Sequence, residues 1–348
     1  MEWVRATSPR EAPGDCELVV VDDAVLTPFV KGSLRSSTGP RAQMSGAVHD
    51  ASGLLVPASQ RWWDGDRTMP VAGDPDEVKV PGGAPRLEGT WLYAGHWAMH
   101  FGHFLVEVLS NLWPEPGSSG VDLVDGIVAH RTFRGPLVPP PAGPGPQAAA
   151  LRPWQSDLLA LAGYGGLEVR VVRHRAARVD RLVVPQRPVV LKSWAAPQAV
   201  ALWRRVSDAV GESGAHPRVY FSRSAFHAGT DNPRRDRSDE AWDRHLDEAF
   251  AAAGFHVAHP ETLPIAEQVA LVRGAEVLAG PSGSALHLSA FARPGTRVLE
   301  VGDDRSPDQP MASQRMIDAA CGHHAAFAPY RDAMALASAL ASVSVSPD

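Results

Sequence analysis

The sequence predicts an α/β protein of two lobes, the second of them Rossmann-like. Residues 218–300 alternate strand-like and helix-like segments with short connections, the pattern of a parallel, doubly wound sheet. The first half has another texture, short strands and turn-rich loops, and 348 residues are enough for two ordinary domains. The boundary is expected near residue 195, giving an N-terminal lobe over 1–195, a C-terminal lobe over 196–325, and a last helix and tail over 326–348.

The second half divides readily. A helix is expected over 197–210, then a strand over 218–222, a helix over 240–253 and a strand over 255–257. The pattern continues with a helix over 265–273, a strand over 276–279, a helix over 283–291 and a strand over 296–300. The first half offers a strand over 17–21 and an apolar segment over 90–114 that begins strand-like and turns helical before Pro114. Residues 135–150 are too rich in Pro and Gly for regular structure and read as an exposed loop or flap. A helix over 154–162 and strands over 167–172 and 182–184 complete this lobe.

Composition narrows the function. Lys and Arg number 33 against 39 Asp and Glu, a net charge of −6 with a pI near 6.2. That balance argues against a nucleic-acid binder, which carries a basic face. Hydrophobic residues at 44% and charged residues at 21% are those of a globular protein. Cys16 and Cys321 sit at opposite ends of the chain, so no disulfide framework or Cys metal motif is present, and a reducing compartment is expected. With no apolar run of signal or membrane-span length, the expectation is a cytoplasmic protein, peripheral membrane contact remaining open.

Three clusters carry chemistry. His96, His100, His103 and Glu107 are offset by 4, 7 and 11 residues, within roughly 60° of one another on a helix. Phe101, Phe104, Leu105, Val108 and Leu112 mark another face. Such a His/Glu stripe suits proton transfer or metal ligation, or is a solvated polar face. Gly102 allows the helix to start there, leaving His96 and His100 on a strand or loop; His103 and Glu107 remain i,i+4 neighbours either way. As metal ligands the four would make a hydrolase, but the nearest acidic pair, Asp64 and Asp66, has no metal-loop spacing.

The second cluster is Gly280-Pro281-Ser282-Gly283-Ser284-Ala285-Leu286-His287, placed after a strand and expected to open a helix. Free amides and small side chains there make either an anion site or a tight packing turn. It has neither a GxGxxG spacing nor a P-loop lysine, so nicotinamide cofactors and NTP hydrolysis are not indicated. The third cluster is basic. Arg223 follows the strand over 218–222, where a parallel sheet presents its ligand contacts. Arg234, Arg235 and Arg237 follow in a loop that also holds Asp236, Asp239 and Glu240, and read equally as a solvated loop. Glu300 ends the last strand and is placed to receive sugar hydroxyls, or is an ordinary strand-end residue.

Together the segments HFGHFLVEVLSNLW, VYFSRS with its Arg-rich loop, and residues 254–301 resemble the family 61 glycosyltransferases. The likeness runs over about residues 90–302 and is strongest where GPSGSAL precedes the strand ending in Val-Leu-Glu. It implies a GT-B arrangement, two Rossmann-like lobes facing across a cleft, with nucleotide sugar on the second lobe and acceptor on the first. It also implies inversion at the anomeric carbon with no obligatory metal or other cofactor. Carried across, Gly280, Ser282, Gly283, Ser284 and Ala285 would hold the donor diphosphate with Arg223, while His100, His103 and Glu107 would face the transferring sugar. The implied partners are a nucleoside diphosphate sugar, by family habit UDP-linked, and a hydroxyl of a glycan or other acceptor. Where members often show Arg-Arg followed by Asn-Glu, this chain has Asp239-Glu240. The expected chemistry is acceptor deprotonation by His103 or Glu107, with a silent nucleotide- or glycan-binding member as the alternative.

Overall fold

A computed structural model describes the chain except residues 1, 9, 13, 29, 35–42, 46, 64–66, 69–81, 119–120, 122–123, 132–144, 212–215, 229–238 and 344–348. Asp64, Asp66, Arg234, Arg235, Arg237 and most of the 135–150 segment therefore lie outside the described residues. The chain forms two compact units. The N-terminal unit comprises Ala12–Leu191 and Ala196–Leu202; the C-terminal unit comprises Met1–Glu11, Lys192–Ala195 and Trp203–Asp348.

The N-terminal unit is built on β1 (Leu18–Leu26), β2 (Arg86–His96), β3 (Gly126–His130), β4 (Glu168–Val172) and β5 (Ala177–Pro185). Its sheet runs Gln147–Ala148, β4, β3, β2, β5, β1, Val48–His49. β4, β3, β2 and β5 are parallel, and β1 is antiparallel to β5. The chain steps outward from β2 to β3 to β4, then returns to place β5 on the other side of β2. Strand order thus reverses between β2 and β5, and in open α/β sheets ligands bind outside the carboxyl ends of strands at such a reversal.

β2, β5 and β1 share an irregularity. Gly89 (φ 84°) and Asp23 (φ 51°) adopt left-handed backbone, and the β2–β5 register shifts between Val179 and Arg181. Asp180 caps the bend by accepting from Gly89 N at 2.9 Å, and Asp23 accepts from Arg86 Nη1 at 2.8 Å. Such bulges raise local twist and bend a sheet. The apolar faces of β1, β2 and β5 then close on Tyr93, Val128, Val172, Val179 and Leu182 as one buried cluster.

After β2 comes a mixed helical segment: an α turn Phe101–His103, a π turn Phe104–Val108 and a 3-10 turn Leu109–Leu112. π turns recur at functional sites because they re-aim side chains within a helix. The apolar stripe anchors it. Phe104 meets Trp97 and Trp154 edge-on, both at 5.1 Å between centroids, and Leu105, Val108 and Leu112 are fully buried. Trp154 comes from α1 (Pro153–Leu161).

The C-terminal unit carries β6 (Arg218–Phe221), β7 (His256–Ala258), β8 (Val277–Pro281), β9 (Arg297–Val301) and β10 (His324–Ala328). Helices α2 (Glu240–Ala252), α3 (Ile265–Gly274), α4 (Ala312–Cys321) and α5 (Ala333–Val343) lie between and after them. The strands are parallel in the order β7-β6-β8-β9-β10, and Val4–Arg5 is added antiparallel at the β10 edge. Numbered from β6 this is 2-1-3-4-5, a doubly wound sheet whose order reverses between β6 and β8. β8 is buried throughout, as a strand covered on both faces should be. Tyr220 stacks on Phe250 of α2 at 4.0 Å, and α2 begins at Asp239, whose Oδ1 accepts from Trp242 N at 2.7 Å.

Mixed α/β architecture is thus as the sequence led one to expect. The expected helix over 283–291 is not formed: a turn leads into a 3-10 helix, Leu286–Phe291. Six 3-10 residues align few peptide dipoles, so the helix-dipole argument for anion binding at Gly283 falls. β3, α4 and β10 add to the expected elements. Cys16 and Cys321 are both free, and no described helix is long and apolar enough to cross a membrane.

Candidate functional site

In the N-terminal unit the strand reversal puts two residues side by side. β2 ends at His96, and β5 ends at Pro185 with Arg187 two residues beyond. Gly95 is required between them. Its φ is 75°, and a Cβ there would lie 2.4 Å from Asn111 Nδ2 and 2.7 Å from Arg187 Nη2.

The four-residue stripe divides. His96 ends the strand, His100 precedes the helix, and only His103 and Glu107 share it. His103 Nδ1 is 2.6 Å from Glu107 Oε2. Glu107 in turn takes a two-pronged bond from Arg61, Nε to Oε1 and Nη2 to Oε2, each at 2.8 Å. Burial alone would raise the Glu107 carboxyl, but its bond to His103 and the Arg61 charge outweigh that and hold it near 2. A carboxylate so firmly ionised is a poor proton acceptor, so Glu107 orients His103. The His103 side chain is 40% exposed, against 9% for Glu107, and Nε2 is the nitrogen turned away from the carboxylate. His100 stands beside it with ring centroids 5.4 Å apart.

Arg61 Nη1 also lies 3.5 Å from His96 Nδ1. Burial, aided by the Arg61 charge, lowers His96 to about 3, and burial lowers His130 to about 3, so both are neutral at ordinary pH. Among the described residues no group of three or more His, Cys, Asp or Glu is arranged to hold a metal, so the metal-stripe alternative gains no support in geometry. Arg61 and Arg187 are absent from the sequence reading. Arg61 stands 46 residues from its partner, and no local motif signals such a pair.

In the C-terminal unit, Arg223 follows β6 and the Gly/Ser turn follows β8, the two strands flanking the reversal. Gly280 lies inside β8, where a Cβ would be 3.4 Å from Phe221 O. Ser282 is fully buried; its amide donates to Val301 O at 2.7 Å and its hydroxyl to Glu300 Oε1 at 2.6 Å. Gly283, Ser284 and Ala285 are partly exposed and form the accessible part of the turn. Glu300 is 3% exposed, and its oxygens also receive Met311 N at 3.1 and 3.2 Å. It ties the turn to the start of α4.

The chain after β9 adds two residues that sequence reading missed. Gly302 lets the backbone cross itself, since a Cβ would lie 2.8 Å from both Pro307 O and Tyr330 N. Asp303 is fully buried and accepts from Arg305 N at 2.9 Å and Arg305 Nη2 at 2.6 Å, with Arg223 Nη1 at 3.6 Å. Arg305 Nη2 also donates to Ser282 O at 2.8 Å. One carboxylate thus gathers two guanidinium groups beside the Gly/Ser turn.

Burial pushes Glu300 up to about 8, against the bonds from Ser282 and Met311. Its folded value exceeds its unfolded one, so the folded state holds a proton that the unfolded chain releases between about 4.5 and 8. Stability should fall as pH rises through that window, and a shift of this size is on the order of several kcal/mol. Melting curves of Glu300→Gln from pH 5 to 9 should lack that alkaline decline; curves parallel to the native ones would show an ionised Glu300.

Residues 101–299, more than half of the 348, match the family model for Glycosyltransferase 61. The chain belongs to glycosyltransferase family 61. It is accordingly a glycosyltransferase, with a sugar donor and an acceptor as its substrates. No curated protein matches it. The matched span of this family 61 enzyme holds His103, Glu107, Arg187, Arg223 and the Gly/Ser turn, while Arg61, His96, Glu300, Asp303 and Arg305 lie outside it.

Proposed function

We propose that this enzyme transfers a sugar, with inversion and without a metal, from a UDP-linked donor to a hydroxyl of a glycan or other acceptor in surface polysaccharide or glycoconjugate synthesis. The observation that carries this reading is the Arg61–Glu107–His103 chain, an imidazole fixed by a carboxylate that is itself clamped. The acceptor oxygen attacks the anomeric carbon while its proton passes to His103 Nε2. The bond from that carbon to the diphosphate oxygen breaks, its electron pair leaving with the nucleoside diphosphate. Glu107 fixes the ring and stabilises the imidazolium that forms, a division of labour known from other carboxylate–histidine pairs.

The leaving diphosphate is received in the C-terminal unit. Amides of Gly283, Ser284 and Ala285, with Arg223 and Arg305, supply donors fixed before the charge develops. Two guanidinium groups on Asp303 leave one net positive charge, and a protonated Glu300 does not cancel it. Gly280 and Ser282 support the turn from within, and His100, whose ring stands beside that of His103, is assigned to the transferring sugar. This reading includes the GT-B arrangement implied by the resemblance, donor on the C-terminal unit and acceptor on the N-terminal one.

Calorimetric titration of the full chain with UDP, GDP, CDP and dTDP, with and without EDTA, tests it. UDP should bind best and EDTA should change nothing. Arg305→Ala should weaken UDP at least about tenfold, the worth of one charge-assisted bond, and leave uridine unaffected. Binding of none of the four would sink the donor assignment, and loss of binding with EDTA would remove metal independence.

A further inference from the structure

Arg187 is a buried cation that the transfer chemistry leaves unused. It is 6% exposed, and its Nε and Nη2 are buried without a hydrogen-bond partner. A structural arginine normally places its N–H groups on carbonyls, as Arg273 Nη1 does on Ser207 O at 2.6 Å. Arg187 instead packs on the α-carbon of Gly95 beside Asn111, with the Tyr93 hydroxyl against it.

Contacts lead from Arg187 to the proposed base. Gly95 precedes His96, His96 is 3.5 Å from Arg61, Arg61 clamps Glu107, and Glu107 holds His103. Among the described residues this cluster has two guanidinium groups and one carboxylate. That carboxylate is already engaged at both oxygens by Arg61. His96 and His130 are neutral and offset nothing. Glu107 reaches Arg187 only through space, and the hydrogen bond Arg187 has is to the neutral Tyr93 hydroxyl. A buried guanidinium with no carboxylate bonded to it is costly, and an anion that arrives with the substrate removes the cost. The forked donor geometry of arginine suits carboxylate and phosphate alike.

We propose that Arg187 is an anion-binding residue of the acceptor subsite, so that the acceptor carries a carboxylate or phosphate near its reacting hydroxyl. The proposal rests on the acceptor being held by the N-terminal unit. It predicts an acidic glycan or a sugar phosphate as substrate class, and neutral sugars as poor acceptors.

The test is binding of three probes to the full chain: methyl β-glucoside, methyl β-glucuronide and methyl β-glucoside 6-phosphate. One charged probe should bind the native protein at least about tenfold more tightly than the neutral one, and which of the two does so identifies the anion. Arg187→Met should abolish that preference while UDP affinity stays unchanged. Equal binding of all three by the native protein, or a preference that survives in Arg187→Met, overturns the proposal. Should Arg187→Met fail to fold, Arg187→Lys serves: a several-fold reduced preference supports it and an unchanged one overturns it. UDP titration in the same samples is independent, so failure of the donor assignment would be seen separately.

Discussion

Replacing His103 by Ala should lower kcat by about 10²- to 10⁴-fold, the usual contribution of a positioned general base. Donor affinity should move little, because the proposed diphosphate contacts lie in the C-terminal unit. Stability should also change little, since the side chain is 40% exposed and its one described hydrogen bond is to Glu107. The decisive comparison is kcat against the KM for donor. A variant with full turnover would remove His103 from the mechanism, and one with intact kcat but a raised KM would make it a binding residue.

The second large effect is expected at Arg61. Arg61→Met leaves Glu107 buried with half its support, and breaking a buried pair from one side costs about 3–5 kcal/mol. Turnover should fall as well, because a carboxylate no longer held ionised does not fix the His103 ring. The pH dependence has a definite sign. Glu107 sits near 2 in the folded protein, below its unfolded value, so its contribution is present above about 4.5 and is lost as pH falls toward 2. The gap between native and variant melting temperatures should therefore narrow on acidification. The double variant Arg61→Met/Glu107→Leu should recover much of the stability but not the activity. A single variant as stable as the native protein at pH 7 would mean the pair contributes nothing.

The C-terminal unit was the more legible half. Its central strands are buried on both faces, so Val-Leu-Ala-Gly-Pro at β8 and Val-Leu-Glu-Val at β9 read as short apolar runs, and the helices between them carry ordinary punctuation. The N-terminal unit hides its sheet. β2 contains two left-handed glycines, Gly89 and Gly95, and its apolar run merges with the helix beyond, so strand and helix blur. The turn at Gly283 misled because glycine and serine open helices and tight turns alike, and only the packing under β9 decides. His103 and Glu107 were readable from local spacing. Their clamp was not, because Arg61, like Arg187 and Arg305, acquires its role from partners that only the folded chain brings near. Glu300 was readable as a strand end, but its bonds to Ser282 and Met311 depend on how the segment after β9 doubles back.

The crossing at Gly302 restricts how this enzyme can be re-engineered. Three backbone atoms, Pro307 O, Tyr330 N and Ser306 O, stand within 2.9 Å of where any side chain would begin. Substitution there would lift the segment that delivers Asp303 and Arg305, whatever residue was chosen. Asp304, Asp308 and Gln309 in the same segment are exposed. On the proposed placement of the donor, a library aimed at a new one should vary those three and leave the glycine fixed, keeping the frame while changing what the frame presents.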